Sequence, residues 1–434
     1  MSEWINVRLG DLGNFSTSSV DKKLVEGEKV VNLINYMDVY KSNTINSSID
    51  FMQVTASTVE AARSQVLIGD ILFTPSSETP DDIGHSAVVA ENLRNTLHSY
   101  HTVRLRPHDE NTLDIRFSAW FCNASEVRKE FEQKCAGSTR YTLSIPAFRS
   151  IEIKIPKSKK IQNKIAEYLD TLDKAIEKTE ALIEKYQQIK AGLMHDLFTR
   201  GIGADGKLRP PREQAPELYQ QTQIGWIPKE WQIKPCSDLC FRICVGIVIQ
   251  PTKYYVGDGI PALRSANVRE DGIDPNNFVY ISAASNQQLA KSQLKTGDIV
   301  SVRTGYPGTS AVVSQEFHGA NCIDILISTP NKKVNSEYLC DWINSSFGKG
   351  QVLRQQGGMA QQHFNVGEMR ELLVALPVSE EQLKIRSRIS VIAEKIKVEK
   401  ALLDKRQKQK FGLMHDLLTG KVQVNVDQSE AAHV

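Results

Sequence analysis

Four stretches of this 434-residue chain have residue types that chemistry could use. Gly201-Ile202-Gly203-Ala204-Asp205-Gly206-Lys207 comes close to a phosphate-binding loop, where backbone N–H groups cradle phosphates and a lysine reaches them. It fails at Leu208, where a Ser or Thr should hold magnesium, and it follows a helical pattern rather than a strand, so it reads as linker. Cys236, Cys240 and Cys244 lack the close pair that zinc sites usually contain and fit buried cysteines better. Pro80-Asp81 and Glu152-Ile153-Lys154 hold the letters of a nuclease site, but about 70 residues separate them, and Glu152 and Lys154 fall on the solvent side of an alternating strand. His195 and His415 sit at equivalent helix ends, where capping or a partner contact is the better account than catalysis. No Asn-Pro-Pro-Tyr or Asp-Pro-Pro-Tyr motif occurs, and no Gly-x-Gly cofactor loop follows a strand. The chain does not read as a catalyst.

Several loops instead carry residues suited to a polar polymer. Small and amide or hydroxyl side chains, with arginine among them, can bond phosphates and base edges while glycine lets backbone approach. Ser138, Thr139, Arg140 and Tyr141 precede the last strand of the first half; Gln361, Gln362 and His363 sit at the same place in the second. Arg303, Thr304 and Tyr306 form another such loop, answered by Thr74 and Ser76. Arg264 and Asn267 pair with the stretch around Asn35. Singly these are ordinary turns; their recurrence at matching places gives the set its weight.

The recurrence runs through the whole chain. Gly192-Leu193-Met194-His195-Asp196-Leu197 returns as Gly412-Leu413-Met414-His415-Asp416-Leu417, 220 residues on. Such an offset is too long for a solenoid unit and suits a duplicated domain. Each copy ends a long amphipathic pattern. Ile165, Leu169, Leu172, Ile176, Thr179, Ile183 and Tyr186 step by four and three, as do Ile385, Ile389, Ile392 and Ile396, followed by Leu403 and Leu413. This is a coiled-coil seam, and it predicts two helices of about 60 Å paired antiparallel. Ahead of each lies a mixed globular stretch: Trp4-Ile5-Asn6 is mirrored by Trp231-Gln232-Ile233, Gly69-Asp70-Ile71-Leu72 by Gly297-Asp298-Ile299-Val300, and Ser86-Ala87-Val88-Val89 by Ser310-Ala311-Val312-Val313. Phe117–Phe121 fits a buried helix. The expected order is a globular domain over 1–155, a helix over 156–200, a linker over 201–224 unable to continue a helix or sheet, a second domain over 225–376, a helix over 377–426 and a tail over 427–434. The fold class is α+β with an internal pseudo-two-fold repeat.

Composition adds bounds. Hydrophobic residues make up 41% and charged residues 24%, enough for real cores. Seven cysteines without a secretory signal point to a reducing cytoplasm, and no apolar run is long enough for a membrane helix. Net charge is +2; the helical segments carry about +7 and the rest about −5, so any basic binding face must be local.

Two divergent domains, each followed by a heptad helix, resemble the specificity subunit of type I restriction–modification enzymes. The residues that carry the resemblance are the helix entries at Pro156 and Pro377, the Gly-Leu-Met-His-Asp-Leu-x-Thr helix ends at 192–199 and 412–419, the starts at Trp4 and Trp231-Gln232, and Arg264-Ser265-Ala266-Asn267-Val268. The second entry carries Glu381-Gln382 as the family often does; the first has no Glu-Gln. The resemblance implies two target recognition domains, each reading half of a split double-stranded DNA site, with the helices as a ruler between them. It implies docking of two methyltransferase subunits and of restriction subunits, for which Leu193, Met194, His195, Leu413, Met414 and His415 are the candidate contacts. S-adenosylmethionine, ATP and magnesium would then belong to those partners and none to this chain. A rival reading is a coiled-coil adaptor with two protein-binding lobes and no DNA contact; a free-standing enzyme comes third.

Overall fold

The computed structural model describes residues 4–109, 112–355 and 363–424. Gln361 and Gln362 lie outside the described residues. The chain forms two compact units, Met1–Thr179 with Leu403–Val434, and Glu180–Leu402.

In the first unit, Trp4–Arg8 alternates as expected and pairs antiparallel with Glu152–Pro156, which places Glu152 and Lys154 in solvent. A five-stranded sheet runs in the order Gly13–Thr17, Val103–Pro107, Ile71–Phe73, Ser86–Val89, Thr44–Ile45. Beside it, Lys29–Ile34 lies between antiparallel Met52–Ala56 and parallel Thr96–His98. The expected buried helix is short, Ile115–Ser118, and continues as a 3-10 turn over Phe121–Asn123. Phe73, Phe117, Trp120, Phe131 and Phe148 fill the core.

The second unit repeats this plan. Gln232–Pro235 pairs with Leu373–Leu376. One sheet holds Cys240–Val245, Ile325–Pro330, Ile299–Val302 and Ser310–Val312, and another joins Ile260–Leu263 in parallel to Asn321–Cys322. Equivalent turns are built from equivalent residues. Gly69 and Gly297 share φ +86°, a left-handed conformation that glycine adopts without a Cβ penalty. The carboxylate after each, Asp70 or Asp298, accepts the N–H of Leu67 or Lys295 at 2.8 or 2.9 Å and holds an arginine, Arg106 or Arg242, at 2.7 Å.

The long helices span Lys159–Thr199 and Ser379–Leu418. In each unit they run antiparallel. Asp173 meets Lys410 and Ala175 meets Arg406 in the first unit, and Tyr186 lies under Lys395 in the second. Ile165, Leu169, Leu417 and Leu418 enter the first core, while Leu197, Phe198, Ile385 and Ile389 enter the second. A buried glutamine locks each helix entry. Gln382 accepts the N–H of Asn335 and donates to the carbonyls of Lys333 and Pro377; Gln162 does the same with Asp114, Thr112 and Pro156. The Gln missing from the first entry is therefore present as Gln162, displaced by one residue relative to the proline.

The stretch over 201–224 departs from its expectation. Tyr219–Thr222 forms a hairpin with Gly225–Pro228, and Ile202 bridges Leu208. Arg209 and Glu381, 10% and 8% exposed, form an ion pair. Glu381 also accepts the Ile202 N–H at 2.7 Å and the Trp231 indole N–H at 3.1 Å. Proline and glycine density marked turns here, but one buried carboxylate on the second helix organises them. A Cβ on Gly201, which has positive φ, would strike Trp231; one on Gly420, also at positive φ, would strike Trp4. Among the described residues no helix is long and apolar enough to cross a membrane.

Candidate nucleic-acid interface

Three loops of the first unit meet on one face. Asn35 precedes the helix Tyr36–Lys41, and its N–H is held by Asp38 at 2.7 Å, so its own role is a cap. That cap presents Tyr36 and Tyr40, whose rings stack at 5.9 Å. Tyr141–Thr142 pairs with Ser76–Ser77, which carries Arg140 to Ser76 at 3.2 Å. Thr74 and Arg140 both lie near the Tyr36 hydroxyl. Ser138 and Thr139 are exposed beside them. The sequence reading thus found three of the loops but missed their neighbours. Tyr40 donates to Asp82 at 3.2 Å, Asp82 bonds His85 at 2.9 Å, and Arg128 reaches both His85 and the Asp81 carbonyl.

The electrostatics of this face are local. Burial pushes the His101 imidazole below the usual range, and the nearby charges of Lys22 and Arg140 add to that shift. Burial lowers the His85 imidazole as well, against the pull of Asp82. Burial raises the Tyr36 phenol and the Asp82 charge raises that of Tyr40, so both hydroxyls stay protonated donors. The result is aromatic faces, hydroxyls and cations on one surface, the set that contacts phosphates and base edges.

In the second unit the matching loops diverge. Phe364 donates to the Arg303 carbonyl as Leu143 does to that of Pro75, so His363 takes the place of Thr142. His363 is exposed. Val302–Thr309 is a tight loop with Gly305 and Gly308 at positive φ, and it lifts Tyr306 to 83% exposure. Thr304 is half-buried beside it. Arg303 is tied down instead: it pairs with Asp324 and donates to the Phe364 carbonyl at 3.3 Å. Asn267 is a scaffold residue, 2% exposed, with its amide on the Asp274 and Asn276 carbonyls and on the Arg264 N–H. Arg264 itself donates to the Asn277 carbonyl at 2.6 Å. Three of the second unit's candidates, Arg264, Asn267 and Arg303, are therefore engaged in holding backbone or a carboxylate.

Between this loop and the helices of the second unit lies a groove of about 880 Å³, lined by Lys190, Met194, His195, Arg269, Tyr306 and Lys349 among others. The first unit has a smaller one of about 350 Å³ at the equivalent place, with Asn123, Arg128, Met414 and His415. The repeated helix ends thus face matching grooves. Met194 is 7% exposed and belongs to the second core, with Leu193 packed against it; Leu413 and Met414 pack likewise on the first. His195 is exposed and stacks on Phe347 at 5.7 Å, whereas His415 pairs with Glu126 at 2.9 Å. Among the described residues, no cluster of His, Cys, Asp and Glu could hold a metal ion.

A family model described as the type I restriction modification DNA specificity domain matches residues 1–188. The chain is 22% identical over 372 residues to a Methanocaldococcus jannaschii protein named as the MjaX type I restriction enzyme specificity subunit, covering 84% of this chain and 81% of that one. It is 24% identical over 283 residues to the EcoKI specificity subunit of Escherichia coli, covering 64% of this chain and 57% of that one. The chain is thus similar to type I restriction–modification specificity subunits, with the family model over its first 188 residues and these relatives over longer stretches. The solved S subunit of M. genitalium shares the fold of this chain, with a TM-score of 0.53 at 13% identity over 98% of this chain and 97% of that one. A chain from a structure describing complex assembly and conformational transition of a type I system superposes with a TM-score of 0.57 at 14% identity, covering 96% and 98%.

Proposed function

We propose that this chain is the non-catalytic recognition subunit of a type I complex, with each unit reading one half of a bipartite DNA target and the helices fixing the separation. One observation carries the reading: the units keep the same buried backbone anchors while the residues displayed on those anchors differ. Arg140, Tyr36 and Ser76 are displayed in one, Tyr306, Thr304 and His363 in the other. Two copies kept for structure alone have no need to display different side chains on the same anchors.

The repeated helix ends support docking of an identical partner at both units. Gly192 and Gly412 sit inside helices with open space where a Cβ would go, at a cost of about 1 kcal/mol each relative to alanine. Nothing in their own units requires glycine. Two methyltransferase subunits are the reading's partners, with S-adenosylmethionine held by them, and restriction subunits join with ATP and magnesium. The setting is the cytoplasm, where the DNA is.

The test is methylation mapping by long-read sequencing in cells that make the cognate methyltransferase subunit with and without this chain. A bipartite adenine-methylated motif that depends on the chain is expected. An assembled complex that yields no such motif would favour the adaptor reading.

A further inference from the structure

The seam of the second helix is apolar through Ile385, Ile389, Ile392 and Ile396, but after Leu403 its next two positions are Arg406 and Lys410. Both cations are answered within the first unit. The Arg406 guanidinium donates to the Ala175 carbonyl at 2.8 Å and to the Thr179 hydroxyl. Thr179 is 2% exposed, the one polar residue in its own seam between Ile176 and Ile183, and it donates to the same carbonyl. Lys410 pairs with Asp173 and lies 5.1 Å from the centre of the Trp120 ring. Trp120 in turn donates to Asp170, which also holds Arg116. Two seam cations thus meet a carbonyl, a hydroxyl, a carboxylate and an aromatic face, each supplied by one position of the first helix or of the domain packed on it.

We propose that Arg406 and Lys410 are positioning residues that hold the two long helices in a single register, and so set how strictly the separation of the half-sites is enforced. The proposal rests on the specificity reading. An apolar seam tolerates displacement because one aliphatic layer resembles the next; a cation does not, since out of place it is buried without its partner. A slip of one heptad moves a helix by about 10 Å and would set Arg406 against the Leu172 layer. Ile165, Leu169, Leu417 and Leu418 already fasten the helices in the first core. The polar layer governs the stretch beyond those anchors, where only the seam pairs the helices.

The test uses an apolar layer, Arg406→Leu with Thr179→Leu, and separately Lys410→Asp with and without Asp173→Lys. Methylation mapping of the full complex is expected to show the same half-site sequences as the parent. Methylated sites at neighbouring separations should rise about ten-fold in the apolar-layer and Lys410→Asp variants, and the exchanged pair should restore the parental spacing. Register is also read without DNA, from the distance distribution between spin labels at Lys178 and Lys405 in the full chain with Cys135 and Cys240 replaced by serine. One narrow distance is expected in the parent and a broadened one in the apolar-layer variant. An unchanged narrow distance overturns the proposal, whatever the methylation result, and so does unchanged spacing selectivity in an assembled variant. A parent complex without any bipartite motif would refute the specificity reading instead, and the spin-label distances would still decide the register.

Discussion

The Asn344 amide holds both backbone groups of Ser310, donating to its carbonyl at 2.8 Å and accepting its N–H at 2.9 Å. Asn123 holds Ser86 the same way, at 3.0 and 3.2 Å. Each serine opens the strand that carries the Ser-Ala-Val-Val sequence repeated in the two halves. Asn344→Ala strands a buried donor and a buried acceptor. The expected loss is about 2–4 kcal/mol, read as a lower unfolding midpoint in denaturant, with Asn344→Asp intermediate because it keeps the acceptor.

Glu381 should be still less replaceable. It is buried with Arg209 and holds two further donors, from Ile202 and Trp231. Glu381→Ala leaves the buried Arg209 guanidinium with the exposed Glu230 as its remaining carboxylate, at a cost of up to about 3–5 kcal/mol. Protease should then cut between Ile202 and Trp231 sooner than in the parent chain, since the hairpin loses its anchor. Equal cutting rates would show that the stretch is held some other way.

Acid should weaken the first unit through His98. The side chain is fully buried, and burial, with the charges of Arg104 and Arg106, pushes its imidazole down to about 3. The unfolded chain takes up a proton below about 6.5 while the folded one does not, so the contribution is whole above that pH and is lost as pH falls toward 3. At pH 5 the loss is about 2 kcal/mol. His98→Gln should narrow the gap between unfolding free energies at pH 8 and pH 5 by that amount.

Recognition should divide between the units. Arg140→Ala is expected to weaken binding of the assembled complex to its target by about 1–3 kcal/mol, with relaxed sequence preference in one half-site alone. Tyr306→Ala should act on the other half. Competition binding with oligonucleotides altered in one half at a time reads both; an effect spread over both halves would contradict the division.

The repeat, the helix pair and several of the strands were legible because each rests on a periodicity or on a turn that needs particular residues. Gly69-Asp70 and Gly297-Asp298 are such turns, and their arginine partners follow from them. What escaped was long-range. Gln162 does the work of Gln382 from a position one residue off the expected spacing, and Asn123 and Asn344 act through backbone, which leaves no pattern in the neighbouring sequence. The candidate face was half legible. Glycine and hydroxyl density found the loops, but could not tell Asn267, saturated by carbonyls, from Tyr306, which stands in solvent. Nor could it find Tyr40, Asp82 and His85, which meet only through folding.

The contact of Gly420 with Trp4 closes the first unit with the far end of the chain, as Gly201 closes the second against Trp231. Leu417 and Leu418 complete a core that begins at Leu9. Neither half of the sequence can therefore finish its own interior. In topology the fold is a domain swap between two copies, made permanent by one covalent link. A molecule cut within the Gly201–Trp231 connection would still hold every helix-to-core contact described here, as two chains that exchange arms.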